Sequence, residues 1–149
     1  MGAAIFEQML EQQPRIRGVL AANDGLAGAV IDVLKKRKLN GKVPVTGQDA
    51  TVQGLQNILA GDQCMTVYKA IKKEADAAAK LAIALAKGEK PQEATSTVNN
   101  GTKDVPSVLL KPVAVTRDSI KDYIGEPDFP KVEEICAGKL ASKCSEVGL

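Results

Sequence analysis

The sequence predicts an α/β fold, a parallel sheet flanked by helices, and three observations carry the prediction. Short β-branched apolar runs alternate with stretches of helical spacing, the connections are only a few residues long, and each run closes on a polar residue. Alternation with short connections is what right-handed β-α-β units require, and such units build parallel sheets. The runs RGVLAAND, KVPVTGQD and CMTVYK bring Asn23, Asp49 and Lys69 to three strand ends. If the strands are parallel, these side chains emerge on the carboxyl edge of one sheet, where open α/β folds place their ligands.

The elements follow in order. A first helix carries Ile5, Phe6, Met9 and Leu10 and stops at Pro14, which cannot continue it. A strand over 18–22 leads through Asn23-Asp24-Gly25 into a helix with Ala27, Val30, Val33 and Leu34 on one face, closed by Asn40-Gly41. A second strand, 43–47, leads through Gln48-Asp49 into a short helix with Val52, Leu55 and Ile58, stopped by Gly61. A third strand, 64–68, reaches Lys69 and an Ala-rich helix with the stripe Ile71, Ala75, Ala78, Leu81 and Leu85. Gly88 and Pro91 close that helix.

The last third changes character. Residues 94–99 and 107–115 read as extended, joined through Asn99-Asn100-Gly101, while Pro106 and Pro112 place the second segment at an edge or in a crossing. Thr116 is a cap for a short helix through Tyr123, and residues 125–149 read as a polar surface tail.

Composition narrows the classes. The chain has 149 residues, 44% apolar and 26% charged, enough for one domain with a real core. A net charge of +2 with both signs interspersed gives no case for nucleic acid. The densest basic run, Lys35 to Lys38, falls at a helix end, where the dipole favours cations. No apolar stretch approaches the about 20 residues that cross a bilayer. The opening Met1-Gly2-Ala3 runs into the first helical stripe without a cap residue, which reads as a chain cut inside a helix, with any signal peptide upstream.

Cys64 in CMTVYK reads as a buried, inert thiol. Cys136 and Cys144, with seven residues between them, are open to two readings: a local disulfide or two unrelated thiols. The disulfide is the favoured reading and implies an oxidising, extracytoplasmic setting. With no histidine the cysteines cannot complete a zinc site, and no cofactor motif is present. Lys69 as a Schiff-base nucleophile is disfavoured, since a neighbouring Asp49 stabilises the charged ammonium. Each rim residue also has an ordinary structural role open to it: Asn23, Asp24 or Asp49 as helix caps, Lys69 as a solvated lysine.

The motifs NDG, GQDA and TVYK, in this order and spacing, resemble the type I periplasmic sugar-binding proteins of bacterial ABC importers, in particular their xylose-binding branch. The resemblance runs from about residue 5 to 120 and includes VPSVLLKPVAVT. It implies a Rossmann-like, incomplete carboxyl-terminal lobe over 1–124, with helix 70–88 belonging to the other lobe; the tail over 125–149 lies beyond the resemblance, and a Cys136–Cys144 disulfide there is the reading of the cysteines alone. It implies a monosaccharide ligand, with Asp49 accepting from sugar hydroxyls, Asn23 donating and accepting, and Lys69 donating. The partner implied is an ABC permease, and the location is extracytoplasmic. The residues that grip the other face of the sugar precede this chain in the family, so the site here is half of one. An exposed sheet edge or a swapped helix then offers a route to a homodimer. The effector domain of a sugar-responsive transcription regulator shares the fold and is the competing reading.

Overall fold

Helices form where apolar residues recur at helical spacing, and in the computed structural model, which describes residues 1–149, they alternate with short extended segments. In chain order the elements are α1 (Gly2–Gln12), α2 (Asp24–Lys36), α3 (Val52–Ala60), β1 (Met65–Tyr68), α4 (Ile71–Ala86), β2 (Ser96–Asn99), β3 (Asp104–Ser107), β4 (Val113–Thr116), α5 (Val132–Ile135) and α6 (Ala141–Val147). They divide into two units, Met1–Lys69 with Val113–Leu149, and Ala70–Pro112.

In the first unit α1 buries Phe6 and Leu10, one turn apart, against α2, whose Ala27, Val30, Ile31, Val33 and Leu34 are buried. The helix α2 ends earlier than Asn40-Gly41: Lys38 takes the left-handed conformation at φ 57°, and Gly41 sits in the turn beyond. The basic run does close this helix, but it is not simply solvated. Lys35 pairs with Asp62 at 2.9 Å, and Arg37 reaches Glu7 and Glu11 on α1 at 3.6 and 3.5 Å. On the other side α3 buries Leu55, Ile58 and Leu59 and ends on Gly61 at φ 82°.

The sheet is parallel across its first three segments. Single parallel bridges join Val19 to Val45 and Thr46 to Met65, in place of long ladders. Pro44, which has no N–H to give, sits in the middle segment and limits the ladder there. At the far side β4 pairs antiparallel with β1, from Met65 opposite Thr116 to Tyr68 opposite Val113. The long extended segment expected over 107–115 is therefore two pieces, β3 and β4, with Pro112 just before the edge strand β4. After β4 the chain forms a 3-10 turn over Arg117–Tyr123, with Thr116 and Ser119 forming a capping box.

Residues 125–149 contribute to the core. Phe129, Ile135 and Cys144 are buried, Phe129 stacks edge-on against Tyr68 at 5.4 Å, and the Tyr68 hydroxyl donates to the Pro127 carbonyl. Burial, reinforced by the carboxylates of Glu126 and Asp128, pushes the Tyr68 hydroxyl above its ordinary value. Gln56 on α3 donates to the carbonyls of Glu134 and Ile135. These anchors are single apolar residues in polar sequence, so no periodicity announces them. The disulfide Cys136–Cys144 is formed, with Cα atoms 5.9 Å apart. Cys64, expected to be buried, is instead exposed; its amide donates to the Val45 carbonyl at 2.9 Å, and its thiol reaches the same carbonyl at 3.0 Å.

On α6, Glu146 accepts from Lys143 at 3.1 Å and from Arg117 at 2.6 Å. Those two hydrogen bonds, Lys143 first, hold its carboxyl below the usual range. The folded chain thus keeps Glu146 ionised where the unfolded chain protonates it. Its contribution is full above about pH 4.5 and lost as pH falls further. Glu146→Gln is expected to flatten the acid limb of a stability-against-pH curve and leave its slope near neutrality unchanged; an unaltered acid limb contradicts this.

The second unit is α4 followed by the β2–β3 hairpin, registered from Ser96 opposite Ser107 to Asn99 opposite Asp104. Asn99 and Asn100 stabilise the turn by accepting from the amides of Gly101, Thr102 and Lys103. The apolar stripe on α4 covers no core: none of its residues is buried, and Ile71, Ile83 and Leu85 are exposed.

Candidate functional site

Asn23, Asp49 and Lys69 all belong to the first unit and stand at the ends of three neighbouring segments. Backbone hydrogen bonds stitch those ends together. The Asp24 amide donates to the Gln48 carbonyl at 2.8 Å, and the Asp49 amide donates to the Val67 carbonyl at 2.9 Å. With strand spacing of about 4.8 Å, the three residues span a rim on the order of 10 Å, the size of a small polyol.

Asn23 is the N-cap of α2, in extended conformation, and its Oδ1 accepts from the Leu26 amide at 2.9 Å. The ordinary role open to this residue is thus its actual one on the oxygen side. Its Nδ2 protons make no hydrogen bond within the chain and remain available as donors. Asn23→Ala is expected to cost about 1 kcal/mol in chemical denaturation through loss of the cap; an unchanged midpoint would remove that role.

Asp49 does not cap α3. Thr51 does, its hydroxyl accepting from the Gly54 amide at 3.0 Å. Asp49 stands two residues before the cap, at φ 101°, and Ala50 follows at φ 48°. Both lie in the left-handed region that residues with a Cβ seldom adopt. The side chain of Asp49 is 42% exposed and pairs with Lys69 at 3.1 Å, Lys69 being 32% exposed. Lys69 itself lies ahead of α4, whose N-cap is Ala70, so it is outside the first helical turn.

The rim therefore offers a half-exposed carboxylate, a lysine ammonium and an amide donor. These groups form hydrogen bonds with hydroxyls in both directions, and the Asp49–Lys69 pair keeps either charge from being left uncompensated. No group of three or more metal-ligating side chains lies together in the chain. Beneath the rim is a feature that sequence reading considered only as a cap alternative: Asp24 is buried, accepting from Thr51, Gln63 and Thr66. An Asp directly after the capping Asn was the signal for it, but its partners are spread over the next 42 positions.

A family model described as "Periplasmic binding protein domain" matches residues 2–90. The D-xylose-binding periplasmic protein of Escherichia coli (strain K12) is 46% identical over 121 residues, 81% of this chain and 36% of that protein. Its namesake from Haemophilus influenzae is 43% identical over 80% of this chain and 36% of its own length. Among solved structures, a carbohydrate transporter solute binding protein from Chloroflexus aurantiacus in complex with D-glucose superposes with a TM-score of 0.72. It is 34% identical, over 87% of this chain and 41% of that one. The chain spans little more than a third of the length of the curated relatives it matches.

Proposed function

Because the chain belongs to the periplasmic binding protein domain family, we propose that Asn23, Asp49 and Lys69 form one wall of a monosaccharide cleft. The Asp49–Lys69 pair at 3.1 Å is the observation that carries the reading. An anion and a cation fixed side by side on a rim suit vicinal hydroxyls, one donating to the carboxylate and the next accepting from the ammonium. Asn23 adds a donor from the adjacent strand end. The relatives bind D-xylose or, in the solved complex, D-glucose, so an aldose is the proposed ligand class. The role is binding and delivery of that sugar to a membrane permease outside the cytoplasm, with no bond made or broken.

The disulfide Cys136–Cys144 supports the extracytoplasmic setting and weighs against a transcription regulator in the reducing cytosol. Saturation-transfer NMR of the 149-residue chain with D-xylose tests the reading. The signal is expected to fall about tenfold in Asp49→Ala, which removes a charged hydrogen-bond partner. A signal equal in both proteins would place the sugar elsewhere.

We propose further that copies of this chain associate through the sheet edge at 18–22. Leu20 there is 90% exposed, and its backbone N–H and carbonyl have no partner within the chain. Light scattering is expected to show mass rising toward a dimer with concentration and to show a monomer for Leu20→Pro; a concentration-independent monomer in the wild type overturns this.

A further inference from the structure

Asp24 opens α2, yet its side chain turns inward and is 2% exposed. Its Oδ2 accepts from the Thr51 amide at 2.8 Å and the Thr51 hydroxyl at 3.1 Å. Its Oδ1 accepts from Gln63 Nε2 and from the Thr66 hydroxyl, both at 2.8 Å. The directions of the two hydroxyls are set by their other partners. Thr66 Oγ1 accepts from the Ala50 amide at 3.1 Å, and Thr51 Oγ1 accepts from the Gly54 amide, so each gives its own proton to Asp24. All four partners donate, and an ionised carboxylate is the group of this size that accepts from all four.

The donors are not scattered at random. The Thr51 amide and hydroxyl, and the Ala50 amide through Thr66, are the groups immediately after Asp49. That turn holds two consecutive non-glycine residues at positive φ, Asp49 at 101° and Ala50 at 48°. Such a conformation persists only where its surroundings over-determine it, and such places cluster at binding sites. Space is also cleared for the carboxylate: a Cβ on Gly47 would stand 2.2 Å from Oδ1, and one on Gly54 2.1 Å from Oδ2.

We propose that Asp24 is the positioning residue of the rim: its buried carboxylate locks the Asp49–Thr51 turn in its left-handed form and so places the Asp49 carboxylate beside Lys69. Asp24 itself touches no ligand. Its consequence for sugar binding rests on the reading given above, whereas its hold on the turn does not. Asparagine at position 24 keeps the size but turns one acceptor into a donor that faces two donors. The turn is then released, Asp49 leaves Lys69, and affinity falls without loss of any ligand contact at position 24.

The test is amide hydrogen exchange by NMR on the 149-residue chain, in the wild type, Asp24→Asn, Thr66→Val and the control Ile31→Val. Ile31 is buried on α2 away from these hydrogen bonds. The Ala50 and Thr51 amides are expected to exchange about tenfold faster or more in both network variants, relative to Phe6 and Leu34 in the same sample. In Ile31→Val the turn and the helices are expected to change together. Thr66→Val, which keeps the side-chain shape, carries the test if Asp24→Asn does not fold. Uniform exchange across turn and helices in the network variants overturns the proposal, whatever the sugar result. A second arm, D-xylose titration, is expected to weaken about tenfold in Thr66→Val and stay unchanged in Ile31→Val. If the wild type binds no sugar, the function reading fails while the exchange arm still decides the role of Asp24.

Discussion

Gly54→Ala is expected to destabilise the fold by about 2–3 kcal/mol, the range of overpacked cores. The direction is opposite to ordinary helix propensity, since Gly54 lies within α3 and alanine in a helix interior is usually favourable by about 1 kcal/mol. The reversal comes from the Asp24 carboxylate, whose Oδ2 would stand 2.1 Å from the new methyl group. A flexible side-chain end would step aside at little cost. This one is held by four hydrogen bonds, so moving it strands the Thr51 amide and leaves Gln63 Nε2 with the Met65 carbonyl as its remaining acceptor. Gly47→Ala is expected to act likewise, with Asp24 Oδ1 at 2.2 Å and Gln63 Nε2 at 2.5 Å. Urea denaturation reads both, and a midpoint at or above that of the wild type would show the carboxylate to be mobile.

Reducing the Cys136–Cys144 bridge, or replacing both residues by serine, is expected to cost about 2–3 kcal/mol from the loop-closure entropy restored to the unfolded chain. The effect spreads beyond the closed loop. Cys144 is buried on α6, and Ile135 lies next to the bridge with its carbonyl accepting from Gln56 on α3. Loosening α5 and α6 therefore also loosens the cover over α3, and Phe129 and Tyr68 lose part of their packing. The double serine variant should be less stable and should show new hydrogen exchange along α3. Equal stability with and without reductant would make the bridge decorative.

The parallel arrangement was legible because alternation of apolar runs and helical stripes is a local signal with one common solution. The helix α3 shows it well: Leu55 and Ile58 of the stripe are buried and Gly61 is its left-handed stop, whereas the cap is Thr51 and not Asp49. Features that depend on distant partners are not legible from local pattern alone. The stripe on α4 promises burial, but a stripe states only that a face is apolar, not that this chain covers it. The anchors Phe129 and Ile135 sit singly in polar sequence, and nothing local distinguishes them from surface residues. The rim trio was visible as three strand ends. Its geometry was not, because the left-handed Asp49-Ala50 turn is imposed by Asp24, Thr51 and Thr66 rather than by Gly or Asn in the turn itself.

The rim also separates two properties that its residues combine. Asn23 serves stability as a cap and presents a donor, whereas Asp49 and Lys69 are a half-exposed pair whose contribution to stability at a surface is small. Keeping a strained turn to display a pair that adds little to the fold is the pattern expected of a binding site.

Whether these three strand ends form a sugar-binding wall is decided by residue-resolved NMR titration of the 149-residue chain with D-xylose. Weak, saturable binding is expected, in the millimolar range of about 4 kcal/mol, with amide shifts confined to Asn23, Asp49, Ala50 and Lys69 and lost in Asp49→Ala. Shifts that saturate on another surface, or that persist unchanged in Asp49→Ala, would contradict it.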